Sequence, residues 1–173
     1  EEILRPLLSI RRETTVAFCQ DSGIDVWNDP HNHDTRYLRV RIRQEILPLL
    51  EQTMGPGVAT ALARTADQLR EDSDALDELA QAAFDANVLR QATSVELPVA
   101  SLEVLAAGIR ARVLKLAIEA VGGSATAVGI ESVGELVINW HGQKSLTLPG
   151  ARVERTGQKL VFRSAKSLRP GAC

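Results

Sequence analysis

Apolar residues recur at helical spacing in five stretches of this chain, and the pattern shortens to strand-like segments only towards its end. The first stretch, residues 10 to 23, places Val16, Phe18 and Cys19 on one side and ends at Gly23, which suits a left-handed cap. A loop from Ile24 to His33 follows, and its Asp29-Pro30 pair disfavours helix. The second helix is predicted to start near Asp34 or Thr35, with Asp34 as its cap. Its residues Leu38, Ile42, Ile46 and Leu49 recur at steps of four, four and three, which predicts one buried stripe, and Pro48 is expected to kink or shorten its end.

Gly55-Pro56-Gly57 is the clearest break, and a domain boundary is expected there, dividing residues 1–54 from 55–173. A long helix is predicted from there to about Asn87, burying Leu62, Ala66, Leu69, Leu76 and Leu79 beneath an acidic outer face. Val95 to Val99 reads as a short edge strand. Ser101 then caps a helix from Leu102 to Val121, stopped by Gly122-Gly123. Residues 128 to 140 are rich in β-branched types, yet Ile130, Val133, Leu136, Val137 and Trp140 keep steps of three and four, so helix is predicted. Three strands follow, near 145–148, 152–155 and 159–163, with turns at Pro149-Gly150 and Thr156-Gly157. The expected fold class is α+β, predominantly helical, with a small, mostly antiparallel sheet near the C-terminus.

Composition narrows the function classes. With 45% apolar and 24% charged residues, the 173-residue chain can bury a core without metal or disulfide support, and aromatics at 3% leave Leu, Val, Ile and Ala to build it. No apolar run approaches the length of a membrane span and no leader pattern is visible, so a cytoplasmic protein with no membrane partner is expected. Cys19 and Cys173 cannot make a disulfide framework. Charge is uneven: residues 56–100 hold three basic and eight acidic side chains, residues 142–173 seven basic and one acidic. Such a tail can attract a polyanion, or can be an ordinary solvated surface.

Several chemistries fail on spacing. Gly142-Gln143-Lys144-Ser145 lacks the first glycine of a phosphate loop and reads as a turn into a strand. His31, His33 and Asp34 offer imidazole and carboxylate, but no second cluster completes a four-ligand metal site, so no metal is expected.

One family pattern covers nearly the whole chain. The opening Arg5-Pro6-Leu7-Leu8 is followed by Trp27, Asp29, Pro30, Asn32 and Asp34 in a W-x-D-P-x-N-x-D loop, then by Arg39, Ile42 and Arg43, and by Leu47-Pro48. Further on come the A-R-T-A-D-x-L-R-E-D stretch at Ala63 to Asp72, W-H-G-Q at Trp140 to Gln143 and L-P-G at Leu148 to Gly150. In order and spacing these resemble the C-terminal part of tRNA(Ile)-lysidine synthases: the end of the synthetase domain followed by the tRNA substrate-binding domain. Val40 departs from the asparagine usual in that family.

The resemblance implies an ATP-dependent ligase that adenylates the wobble cytidine of an isoleucine tRNA with a CAU anticodon and lets the lysine side-chain amine displace AMP. It implies ATP and Mg2+ as cofactors of the parent enzyme, with free lysine and that tRNA as partners, and leaves a homodimer open. The family's S-G-G-x-D-S loop is not found as a string, so the ATP-binding part is expected to be missing, this chain alone to be inactive, and no cofactor to bind it. Arg39 and Arg43 are the candidate catalytic residues, since an adenylate leaving group calls for rigid guanidinium donors. Arg36, Arg39 and Arg43 fall within about a 60° sector of a helix at 100° per residue. The alternative is that these arginines pair with Asp29, Asp34 or Glu45 and hold the loop to the helix. Arg36, Arg110, Arg112 and Lys115 are the candidate RNA contacts. A stand-alone RNA-binding domain, or a helical module docking a protein through the acidic segment 67–85, remain the competing readings. Trp27 is expected to pack in the core rather than stack on a base.

Overall fold

The structure, a computed structural model, describes residues 4, 6, 7, 10, 12–27 and 29–165. Arg5 and Leu8 of the R-P-L-L motif, and Cys173, Lys166 and Arg169 of the basic tail, lie outside the described residues. The chain is predominantly helical with a smaller antiparallel sheet in its latter half. It divides into two compact units, Glu1–Ala63 and Arg64–Cys173.

In the first unit α1 spans Arg12–Asp21. Gly23 ends it at φ +64°: its N–H donates to the Gln20 carbonyl at 3.1 Å, and the Ile24 N–H reaches the Cys19 carbonyl at 2.9 Å. This paired closure uses two otherwise unsatisfied carbonyls and is the cap the glycine predicts. The following loop contains a 3-10 turn, Pro30–His33, whose first N–H, that of His31, donates to the Asp29 side chain. The next helix starts later than expected, at Leu38. Asp34 does not cap it, because its carboxylate is taken up by Arg36.

That helix runs as α2 (Leu38–Arg41), a wider π turn (Ile42–Ile46) and α3 (Leu47–Met54). Pro48 therefore neither ends nor shortens it. Proline offers no N–H to the carbonyl four residues back, and the turn ahead of it is widened, with the Leu47 N–H donating to the Ile42 carbonyl. The stripe of Leu38, Ile42, Ile46 and Leu49 is not buried: these side chains are 36–60% exposed, and no described residue of this unit is buried. Gly55 and Gly57, at φ +98° and +108°, make the break. The Glu51 carboxylate spans it by accepting from the Gly57 and Ala59 N–H groups at 2.6 and 2.8 Å.

Helix α4, Val58–Asn87, has the length the sequence predicts, and the division between the units falls within it. Its buried face differs from the expected one. Ala80 and Phe84 enter the core, while Leu62, Leu69 and Leu79 stay exposed.

The second unit holds the core. Strands β1 (Leu89–Arg90), β2 (Ser94–Pro98), β3 (Leu146–Leu148), β4 (Ala151–Thr156) and β5 (Lys159–Ser164) form one antiparallel sheet in the order β1-β2-β5-β4-β3. β2 is thus an interior strand, not an edge: it pairs with β5 in the register Val95↔Phe162 and Leu97↔Leu160, and its Pro98 sits at the strand end. Alternate residues Val95, Leu97, Ala151, Val153, Leu160 and Phe162 join one apolar cluster with side chains of α4, α5 (Val99–Glu103), α6 (Ala107–Ala120) and α7 (Ala127–Ile138).

The single helix expected over 102–121 is therefore two helices. The carbonyls of Leu102 and Leu105 beside the break accept from the Arg110 guanidinium at 3.4 and 3.1 Å. Thr126 caps α7 through the Gly129 N–H. Gly150 must be glycine twice over: its φ is +78°, and a Cβ there would lie 2.7 Å from the Gly122 carbonyl oxygen. Among the described residues no helix is long and apolar enough to cross a membrane.

Candidate functional site

The W-x-D-P-x-N-x-D loop and the start of α2 enclose a cleft of about 370 Å³, lined by His31, Asn32, Tyr37, Arg39, Val40 and Arg43. The loop is held by its own carboxylates. Asp29 accepts from the backbone N–H of His31 at 2.9 Å and from its Nδ1 at 2.8 Å, so the proton of the second bond sits on Nδ1. These bonds, the backbone one foremost, hold the Asp29 carboxyl below the usual carboxylate range.

Asp34 takes Arg36 in a two-pronged pair, with Nε at 3.0 Å and Nη2 at 2.7 Å, and accepts the Arg36 N–H as well. The guanidinium bonds hold the Asp34 carboxyl low and push Arg36 up. Gln44 ties the loop to the helix, its Nε2 donating to the Asn32 carbonyl at 3.1 Å and meeting His33 Nδ1 at 3.2 Å.

This arrangement separates the three arginines. Arg36 precedes the helix and is committed to Asp34, so the common sector drawn for an ideal helix does not apply to it. Arg39 and Arg43 both line the cleft, and among the described residues neither is in an ion pair. The pairing alternative thus describes Arg36 alone. Two uncompensated guanidinium groups in an open cleft, with the neighbouring carboxylates already engaged, suit a phosphate or adenylate oxygen. Val40, in place of the usual asparagine, adds an apolar wall to the cleft.

The sequence reasoning passed over Gln44 and Tyr37. Gln44 sits in the π turn, where helical spacing alone does not place it against the loop. Tyr37 meets His31 edge to face at 6.1 Å between ring centres. Trp27 is 82% exposed and does not pack in a core.

On α6, Arg112 and Lys115 line one cleft, and Arg110 lines another. Arg110 serves the carbonyls at the α5–α6 break, whereas Arg112 donates through Nε to Asp77 at 2.6 Å. Lys115 lies 4.0 Å from Glu119 and shares with Arg112 a cleft of about 470 Å³ between α4 and α6. Within the basic C-terminal segment, Lys159 pairs with Glu96 at 2.9 Å and Arg163 with Glu154.

The family model described as the PP-loop domain matches residues 1–50. This corrects three expectations: that the ATP-binding domain is missing from the chain, that the chain alone is inactive for want of it, and that no cofactor binds it. Those expectations rested on the lack of one loop string, whereas the domain is matched through the whole of residues 1–50.

The tRNA(Ile)-lysidine synthase of Leifsonia xyli subsp. xyli is 48% identical over 163 residues, which is 92% of this chain and 49% of that protein. That of Rhodococcus erythropolis is 46% identical over 87% of this chain and 45% of its own length. That of Mycobacterium tuberculosis is 42% identical over 91% of this chain and 48% of its own length. The chain spans about half the length of the curated relatives it matches, and along nearly all of its own length it is similar to tRNA(Ile)-lysidine synthases, with a PP-loop domain match at residues 1–50.

Proposed function

We propose that this chain is part of an ATP-dependent ligase that joins lysine to the wobble cytidine of an isoleucine tRNA with a CAU anticodon. The observation that carries this reading is the 48% identity to a lysidine synthase over 92% of the chain. In it, residues 1–54 belong to the ATP-using synthetase domain and residues 55–173 hold the tRNA, in the cytoplasm. ATP, with Mg2+ supplying charge neutralisation when bound, meets the chain at the first unit. Arg39 and Arg43 are the residues that face the phosphate or adenylate oxygens, and Arg36 positions the loop through Asp34. Of the α6 cations, Lys115 is the freest to meet an RNA phosphate. Arg112 would have to leave Asp77, and Arg110 the carbonyls of Leu102 and Leu105.

The test is a fluorescence anisotropy titration of the chain against the minor isoleucine tRNA and a methionine tRNA, both with the CAU anticodon, at two salt concentrations. Preference for the isoleucine tRNA is expected. Steep salt dependence without discrimination would replace this reading with a general RNA-binding domain, and no binding at low salt would remove the RNA altogether. ATP binding is measured in parallel on the Arg39→Ala/Arg43→Ala variant. A loss of tenfold or more is expected if these residues meet its phosphates.

A further inference from the structure

The W-H-G-Q stretch of the second unit forms a turn closed by its own side chains. Gln143 closes it from both sides: its Oε1 accepts the His141 N–H at 2.8 Å and its Nε2 donates to the Asn139 carbonyl at 2.7 Å. His141 Nδ1 also lies 2.9 Å from the Asn139 carbonyl, which only accepts, so Nδ1 carries a proton. Gly142 permits the turn with φ +89°.

Beside this turn, the Arg155 guanidinium carbon stands over the Trp140 ring, 5.3 Å from its centre. Arg155 is fixed there by the carbonyls at the end of α7, with Nη1 2.9 Å from Leu136 O and 3.2 Å from Val137 O, and by Nε on Gly157 O. Its acceptors are neutral carbonyls, and among the described residues it forms no ion pair.

Although Arg155 stands over the ring, Trp140 remains 38% exposed. A tryptophan kept partly in water on a rigid turn, with an uncancelled cation against it, has the chemistry of a stacking platform for a flat, electron-accepting ring attached to a polyanion. Lys144 and Arg152, nearby in sequence, also have no carboxylate partner among the described residues, and Arg152 is bonded to the Ser145 hydroxyl. The nearest carboxylate at the turn, Glu135, is engaged by the Asn139 side-chain amide at 2.6 Å. We propose that Trp140, backed by Arg155 and held by the Gln143 turn, stacks an unpaired nucleobase of single-stranded RNA. This deepens the RNA-binding role proposed above and rests on it for the identity of the RNA.

The test uses Trp140 as its own reporter, since Trp27 is the only other tryptophan. In the Trp27→Phe variant, a mixed-sequence single-stranded RNA heptamer is expected to quench the fluorescence saturably, and a duplex of the same length to do so far less. Trp140→Ala should weaken heptamer binding about tenfold at an unchanged melting temperature, with Trp140→Phe intermediate. Absence of quenching, equal quenching by the duplex, or heptamer binding by Trp140→Ala as tight as the parent's would each overturn the assignment. Preference for the isoleucine tRNA with no Trp140 response sinks this platform and leaves the ligase reading standing. A Trp140 response to the heptamer without tRNA discrimination does the reverse.

Discussion

The two units of this chain carry apolar stripes of the same helical period and use them in opposite ways. In the second unit, Val133, Leu136 and Val137 of α7 are buried against a sheet whose Leu160 and Phe162 are fully enclosed. In the first, Leu38, Ile42, Ile46 and Leu49 repeat with equal regularity, yet none is buried among the described residues. Amphipathic period therefore marks which side of a helix can be covered, and says nothing about whether a cover is present. What orders the first unit locally is polar: the Gly23 closure, the Asp29 and Asp34 turns, the Gln44 tie and the Glu51 cap. Such bonds between exposed groups are individually weak beside the burial of a core side chain.

The largest effect that tests this contrast is Phe162→Ala, which removes an aromatic ring from the interior strand β5. It should cost about 3–5 kcal/mol in denaturant unfolding, whereas Leu49→Ala, at a 60% exposed position, should stay within about 0.5 kcal/mol. Equal losses would show that the first unit has a core of its own. Gly150→Ala comes next: the positive φ and the close Gly122 carbonyl should cost about 1–3 kcal/mol, read from the same unfolding curves. Hydrogen exchange then compares the units directly. Amides of β5 and α7 should exchange only on global unfolding, and those of α1 and α2 by local opening, well before it.

The smallest effect is one of pH. The Ala59 N–H, with those of Gly57 and Val58, holds the Glu51 carboxyl below the usual carboxylate range. A group depressed in the folded state contributes its stabilisation above its unfolded pKa and loses it as pH falls through the folded value. The start of α4 should accordingly fray, by exchange at Val58 to Ala61, as pH drops below the ordinary glutamate range. Glu51→Gln should fray it at neutral pH and flatten that dependence. An unchanged pH profile in Glu51→Gln would remove the cap from the account.

The candidate site was legible in part. Arg39 and Arg43 share a cleft, as their spacing suggested. That Arg36 leaves them follows from Asp34, two residues before it, whose carboxylate captures the guanidinium and delays the helix to Leu38. The mistaken reading of Trp27 came from counting aromatics: scarcity argues that a tryptophan is useful to a core, not that a core lies next to it. The expectation that the ATP-binding part is missing rests on one absent loop string, whereas the PP-loop domain model matches residues 1–50.

By itself the sequence determined the local elements: the long α4, the helical reading of 127–138 against its β-branched composition, the last three strands, and the turns at Gly23, Gly150 and Gly157, each set by residues a few positions apart. Only the tertiary structure decided that β2 lies inside the sheet beside β5, more than sixty residues later, that α5 and α6 part where Arg110 can reach the carbonyls, and which of two equally regular stripes is buried. The physical reason is one of range. Turn geometry and helical period act between neighbours in the chain, whereas strand order and burial depend on surfaces that distant segments bring together.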